Sequence, residues 1–236
     1  GAAPVEFMDN VGMPLLDGFL LVHNTLVGAG VRDKIKIGVS GKIISAFDIA
    51  RMLALGADWC NSARGFMFAV GCIQSRACHT NKCPTGVATQ DPYRQRALHI
   101  PDKAQRVYNF HKNTLKSLAA IVGAVGLKHP KDLQAYHIAR RLENGQIKLL
   151  SKFYYFTEPG VLLNLSARSD VFNQMWVMAN PDSFLANNEA LIAYNHDVRH
   201  AHAHNEQRFN EGNYLERIDS FDETANSYYT YDDDPS

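Results

Sequence analysis

Residues 34–71 read KIKIGVSGKIISAFDIARMLALGADWCNSARGFMFAVG, and this stretch decides the fold class. Lys34 to Val39 is a short run carrying β-branched residues, the pattern of a strand. Ser45 is placed to N-cap a helix whose apolar face is Ile49, Met52, Leu53 and Leu55, and Gly56 ends it. Ala57 to Asn61 reads as a second short strand. Arg64 to Gly71 is an apolar run ending in Gly, so a short helix is expected over 65–71. Strand, helix, strand and helix joined by short loops is the grammar of parallel α/β structure.

Working upstream, Asp17 to Val27 has Phe19, Leu20, Val22, Leu26 and Val27 at helical spacing, closed by Gly28 and Gly30. Residue 1 is Gly and no charged segment followed by an apolar core comes after it, so no secretory signal is expected. Gly1-Ala2-Ala3-Pro4 reads as a loop, and the expectation is a chain that begins inside a longer protein. Downstream, a polar loop bearing cysteines runs from about Cys72 to Pro92. A long helix is expected over 102–125, with Pro101 near its first position and Gly126 after its end. Its apolar stripe, Val107, Phe110, Leu115, Leu118 and Ile121, is the mark of core packing. Lys131 to Leu142 is a further helix candidate. Residues 151–186 are mixed, with turn signals at Glu158-Pro-Gly160 and Asn180-Pro-Asp182. Three regions are therefore expected: 1–92, 93–186, and a polar stretch 187–236 with weak order beyond about Asn205. No internal repeat is present.

Composition narrows the function classes. The chain has 236 residues, 46% hydrophobic and 20% charged, enough apolar material for a real core, which excludes disorder throughout. Four cysteines are too few for a disulfide scaffold of this length and suit a reducing, cytoplasmic setting. No run of about 18 apolar residues encodes a membrane span. A net charge of zero disfavours a globally basic nucleic-acid binder. That zero hides an asymmetry: residues 1–150 carry 19 basic and 10 acidic side chains, and residues 211–236 carry 1 and 8. A basic body suits an anionic ligand, and an acidic end suits a solvated tail.

Cys72, Cys78 and Cys83 form the pattern C-x5-C-x4-C, with Pro84 after the third. Three thiols in a short loop suggest a soft-metal or iron–sulfur site. A tetrahedral zinc would need a fourth ligand, and His79, adjacent to Cys78, is poorly placed to face the same ion. Three reduced structural thiols remain the bland alternative. Cys60, at the end of an apolar strand, reads as a small buried hydrophobe.

The segment Gly71 to Pro92, GCIQSRACHTNKCPTGVATQDP, closely resembles the cluster loop of glutamate synthases. Gly1-Ala2-Ala3-Pro4 resembles the end of that family's Gly-Gly-Thr-Gly-Ala-Ala-Pro segment, and Asp17 to Asp91 follows the family in order. The resemblance is specific over residues 1–92 and looser to about 186. There, Glu158-Pro-Gly160 and Asn180 to Phe184 look like the ending of short, stand-alone family members. Nothing recognised covers 187–236.

The resemblance implies the C-terminal portion of an FMN-binding (β/α)8 barrel of the TIM type, followed by a helical extension and a polar tail. It implies a [3Fe-4S] cluster on Cys72, Cys78 and Cys83. In such barrels a phosphate often rests on the loops after the last strands and the N-terminus of a short helix. The matching parts here are Ser40, Gly41 and Lys42 after the first strand, and Ser62, Ala63, Arg64 and Gly65 opening the short helix. Small residues admit close approach of backbone N–H groups, and Lys42 and Arg64 add charge. Alone, these would read as an ordinary turn and a surface cation. The family's usual Asp-Gly-Gly is Ser40-Gly41-Lys42 here, a departure that puts the hold on the flavin in doubt.

The activity implied is formation of L-glutamate from 2-oxoglutarate and ammonia by FMN hydride transfer, with electrons from an external donor. No amidotransferase domain is visible, so the ammonia is either free or derived from glutamine elsewhere. No catalytic acid or base is assigned. A related FMN oxidoreductase acting on another oxo or imino acid is the first alternative. A truncated, non-catalytic metal-binding or partner-binding fragment is the second. Because a barrel closes only when all its strands pair, the expectation is a chain that needs an upstream barrel segment or a partner chain to act.

Toward the end, His196, His200, His202 and His204 cluster near Asp197. The favoured reading is a polar, partly helical linker over a metal site. Asp232 to Asp234 is expected to be a solvated tail. Tyr228, Tyr229 and Tyr231 form a run that suits docking on a partner.

Overall fold

The structure, a computed structural model, describes residues 4–164 and 170–203. The chain divides into two compact units, residues 1–168 and 169–236.

The first unit opens with α1 (Val5–Asn10) and α2 (Leu15–Gly28), then passes through β1 (Gly38–Ser40), α3 (Ala46–Ala54), β2 (Trp59–Asn61) and α4 (Ala63–Val70). This is the expected alternation. β1 and β2 pair in parallel, with Val39 opposite Cys60. The expected strand over 34–39 begins later, at Gly38. Its physical cause is Asp58, whose carboxylate accepts the Ile37 N–H at 2.8 Å in place of a ladder carbonyl.

The loop between α2 and β1 is tied down by Arg32. Its guanidinium donates to the Ile35 carbonyl at 2.6 Å, the Gly56 carbonyl at 2.6 Å and the Asp58 carboxylate at 2.8 Å. Its Nε donates to Nδ1 of His23 on α2 at 3.3 Å. One side chain thus joins α2, the entry to β1 and the entry to β2.

Helix α3 has a complete capping box. The Ser45 hydroxyl accepts the Asp48 N–H at 3.2 Å, and the Asp48 carboxylate accepts the Ser45 N–H at 2.8 Å. Its buried residues are Ala46, Ala50, Met52 and Ala54, and both α3 and α4 pack on α6 (Ile100–Ala124). The small α5 (Pro92–Gln95) precedes α6, in which Leu118 and Val122 are buried. The long helix expected over 102–125 is therefore observed with nearly its expected bounds.

The helix expected over 131–142 does not form. Two single 3-10 turns, Pro130–Asp132 and Ala135–His137, take its place, followed by β3 (Ala139–Arg141). Leu133 between them is extended, and Nδ1 of His137 accepts the Gln134 N–H at 2.9 Å, closing the second turn on itself. Leu133, Ala135 and Ile138 still reach the core, without helical periodicity. β3 pairs antiparallel with β4 (Ile147–Leu149) across a turn at Asn144-Gly145, where Gly145 has φ 78°. Asn-Gly is the strongest short hairpin signal, and the sequence reading passed over it. Helix α7 (Leu150–Phe153) follows, and the chain then returns to α2. There Asn24 is buried; its Nδ2 donates to the Tyr155 carbonyl and its Oδ1 accepts the Thr157 N–H, each at 3.0 Å.

The second unit is described by α8 (Asp170–Met178) and α9 (Asn188–Ala203). The turn between them uses Asn180, whose Oδ1 accepts the Asp182 N–H at 2.9 Å, as the Asn-Pro-Asp signal suggests. Asn187 Oδ1 accepts the Ala190 N–H at 3.0 Å at the start of α9.

Among the described residues there is no closed barrel: the strands form one two-stranded parallel sheet and one two-stranded antiparallel sheet. No helix among them is long and apolar enough to cross a membrane.

Candidate functional site

The candidate site lies at the C-terminal ends of β1 and β2 and continues through α4 into the cysteine loop. After Ser40 the backbone turns through Gly41 (φ 149°) and Lys42 (φ 49°). Lys42 thus occupies the left-handed region that favours glycine. A Cβ at Gly41 would lie 3.1 Å from Cδ2 of Leu15, so the turn rests on the start of α2.

Ser62 stands at the N-cap position of α4, yet its hydroxyl donates to the Ile43 carbonyl at 2.8 Å and does not cap the helix. The first turn of α4 also holds no acidic residue. This contrasts with α3, two elements earlier, whose amides are capped twice. The start of α4 therefore offers uncapped N–H groups and the positive end of a helix dipole. Ala63 is exposed and Arg64 half-buried. Gly65 has a packing role: a Cβ there would lie 2.7 Å from Cζ of Phe110 and 2.8 Å from the Ser62 oxygen. It lets α6 close on α4, where the Phe66 and Phe110 rings meet edge-on at 5.1 Å.

α4 ends in a left-handed Gly71 (φ 113°), and the Cys72 N–H bonds back to the Met67 carbonyl at 2.9 Å. This is the Schellman pattern, and it sets Cys72 immediately beyond the helix. Cys72 Sγ accepts the Gln74 N–H at 3.5 Å. Gln74 (φ 56°), Arg76 (φ 54°) and Asn81 (φ 61°) all take left-handed conformations, so the loop coils tightly. Cys78 opens a 3-10 turn, Cys78–Thr80.

Cys83 is 5% exposed. Burial pushes its thiol up, but the N–H groups of Ala88, Thr85 and Val87 and the Thr85 hydroxyl outweigh that and bring it down to about 7. The Thr85 oxygen is 3.6 Å from the sulfur. Cys60 is the converse: burial first, then the Asp48 carboxylate, push its thiol up to about 11. All four cysteines are free thiols. Among the described residues no three His, Cys, Asp or Glu side chains are gathered closely enough to hold a metal ion.

Residues 1–128 match the family model described as the conserved region in glutamate synthase. The chain belongs to the glutamate synthase family. It is 42% identical over 147 residues to the glutamate synthase large subunit-like protein YerD of Bacillus subtilis, covering 62% of this chain and 28% of that one. It is 31% identical over 153 residues to an archaeal glutamate synthase [NADPH] of Archaeoglobus fulgidus, covering 64% and 30%. It is 30% identical over 143 residues to ferredoxin-dependent glutamate synthase 1 of Arabidopsis thaliana, covering 56% and 9%. The chain therefore spans less than a third of the length of these relatives. The family match contains every residue singled out for the site, from Ser40 to Cys83.

Sequence reasoning missed three contributors: the amides of Thr85, Val87 and Ala88 around Cys83, the Ser62–Ile43 tie, and the packing role of Gly65. Backbone amides leave no mark in residue identity, although Gly86 in the middle of the loop hinted at a tight fold. At the far end, His196 and His200 lie four residues apart on α9, His202 lies on the same helix, and His204 falls outside the described residues. The Tyr228 to Tyr231 run and Asp232 to Asp234 fall outside them too.

Proposed function

We propose that this chain is the C-terminal portion of the (β/α)8 barrel of a glutamate synthase-like flavin and iron–sulfur oxidoreductase. The observation that carries the reading is the cysteine loop that follows α4, in which nearby backbone amides lower the pKa of the buried Cys83 thiol. Three thiols, one of them favoured as thiolate, are the donor chemistry of an iron–sulfur cluster, and Cys72, Cys78 and Cys83 would hold it. The uncapped first turn of α4 and the turn at Ser40, Gly41 and Lys42 fit an anionic phosphate, with Arg64 beside them, and would hold that of FMN. Bound FMN would supply hydride transfer and the cluster single-electron relay. The protein's own part would be to seat the phosphate and to supply the three thiols.

The proposed reaction is reductive formation of L-glutamate from 2-oxoglutarate and ammonia, fed by an external electron donor in a reducing, cytoplasmic compartment. Among the described residues the β1–β2 sheet has no third strand. Gly38, Ser40, Trp59 and Asn61 lie on one exposed face of it. Parallel sheets are normally covered on both faces. On that ground the chain needs its upstream barrel strands, in the same polypeptide or a partner, to act.

The test is to measure iron, acid-labile sulfide and FMN in anaerobically purified protein, for this chain and for one extended through a complete barrel. All three in the extended form, with turnover of 2-oxoglutarate, support the proposal. Flavin and cluster without that turnover point to a related oxidoreductase for another oxo or imino acid, in keeping with the unusual Lys42. An extended form lacking flavin and iron overturns the proposal.

A further inference from the structure

The loop after β1 and the start of α4 belong to different strand–helix units, and a side-chain hydrogen bond joins them. The register pairs Ser40 with Asn61, so the chain leaves the sheet side by side at these two places. Just beyond, the Ser62 hydroxyl donates to the Ile43 carbonyl at 2.8 Å. Ile43 is buried. The next two residues are held from α3, where Asp48 Oδ2 accepts the Ile44 N–H at 3.2 Å and the Ser45 N–H at 2.8 Å. Residues 43–45 are therefore fixed by α3 on one side and by Ser62 on the other. Gly41 and Lys42 join Ser40 to that fixed segment, so the path of the turn is set at both ends.

A serine hydroxyl carries one proton. With that proton on the Ile43 carbonyl, Ser62 turns only lone pairs toward anything else, and lone pairs repel a phosphate. While the bond stands, Ser62 is not a donor to an anion. The same bond keeps the hydroxyl from capping α4, so the first-turn amides stay open. Gly65 makes the room for this arrangement. A Cβ there would stand 2.8 Å from the Ser62 oxygen and 3.2 Å from the Ile44 carbonyl oxygen.

We propose that Ser62 is a positioning residue, a strap whose bond to Ile43 holds the turn at 40–42 against the open end of α4 and so sets the spacing of the phosphate seat. This rests on the flavin reading above. The consequence is selectivity. The strap acts on the phosphate seat alone, so the preference for a phosphorylated flavin over an unphosphorylated one depends on Ser62, although Ser62 touches neither.

The experiment uses the chain extended through a complete barrel, stripped of flavin, as wild type and Ser62→Ala. Dissociation constants for FMN and for riboflavin, read by flavin fluorescence, give the preference for the phosphate. Amide hydrogen exchange over residues 41–45 is followed by mass spectrometry without flavin, and Tm is recorded. Ser62→Ala is expected to bind FMN several-fold more weakly and riboflavin as wild type does, with several-fold faster exchange at 41–45 before any ligand is added. Loss of the preference with unmoved exchange makes Ser62 a direct donor to the phosphate and overturns the strap. Faster exchange with an unmoved preference is the mark of a merely structural serine and overturns it too. If Ser62→Ala does not fold, Ser62→Cys keeps the shape with a weaker donor, and a smaller loss of preference is expected. An unmoved preference there overturns the strap equally. A wild type that binds FMN no better than riboflavin overturns the phosphate seat and the strap with it. A wild type that prefers FMN, with indifferent variants, overturns the strap alone.

Discussion

Cys60 and Cys83 carry the same thiol in opposite surroundings, pushed up to about 11 in one case and brought down to about 7 in the other. Serine at Cys72, Cys78 or Cys83 is expected to abolish iron binding in the extended protein, while Cys60→Ser keeps the wild-type iron content; elemental analysis reads both. His23 gives a second residue-scale expectation. Burial, and then the Arg32 guanidinium, push its pKa below 6.5, with Asp58 opposing. Its Nδ1 accepts a hydrogen bond from the Arg32 Nε–H and must be unprotonated to do so. The unfolded chain therefore takes up the proton first as pH falls. The His23 contribution to stability is present above pH 6.5 and declines as pH drops through 6.5 toward the folded value. Urea midpoints between pH 5 and 8 should show that decline in wild type and its absence in His23→Gln, which accepts without titrating. The types of the proposed ligands are explicit in the sequence as a cysteine spacing, although among the described residues the structure does not gather them into a metal site. The network around Arg32 was not legible there, because its partners are carbonyls of Ile35 and Gly56 brought together by the fold.

At the scale of elements, α3 shows how far local signals reach. Ser45 and Asp48 mark its start in the sequence and form the full capping box in the structure. Ser45→Ala is expected to cost about 1 kcal/mol in chemical denaturation. The end of α2 is set by close packing that the sequence does not reveal. Gly28 is buried, and a Cβ there would lie 2.5 Å from Cγ of Leu162, which is 1% exposed, and 2.9 Å from Cγ2 of Thr157. Gly28→Ala should destabilise by about 1–3 kcal/mol, because neither neighbour has room to yield. Helices with caps and a steady apolar period were readable: α2, α3, α4 and α6 all stand close to where those cues put them. The stretch 131–142 departs from the expected helix although Leu133, Ala135 and Ile138 are buried, because their spacing of two and three residues is not that of one helical face. A histidine-closed turn and an extended Leu133 supply the same burial without the helix.

At the scale of the molecule, the parallel pair β1–β2 governs behaviour. Its outward face carries Trp59, 47% exposed, laid against Gly38, and among the described residues both outer edges of the pair lack a neighbour. Such edges are templates for pairing with other chains. Size-exclusion chromatography with light scattering should find this chain self-associated or aggregated, and the extended chain well behaved. A monodisperse monomer of residues 1–236 would count against the barrel reading. Helix α4 has a consequence of its own. It has eight residues, hence a length of about 12 Å at 1.5 Å per residue. Ser62 stands at one end and Cys72 just past the other, with only the left-handed Gly71 between the helix and the cysteine. The helix is thus a gauge block between the proposed flavin seat and the first cysteine. One inserted residue would lengthen it by about 1.5 Å and swing Cys72 around the axis by about 100°. The length of such a block sets the spacing between the two proposed seats whatever its outward side chains beyond the first turn.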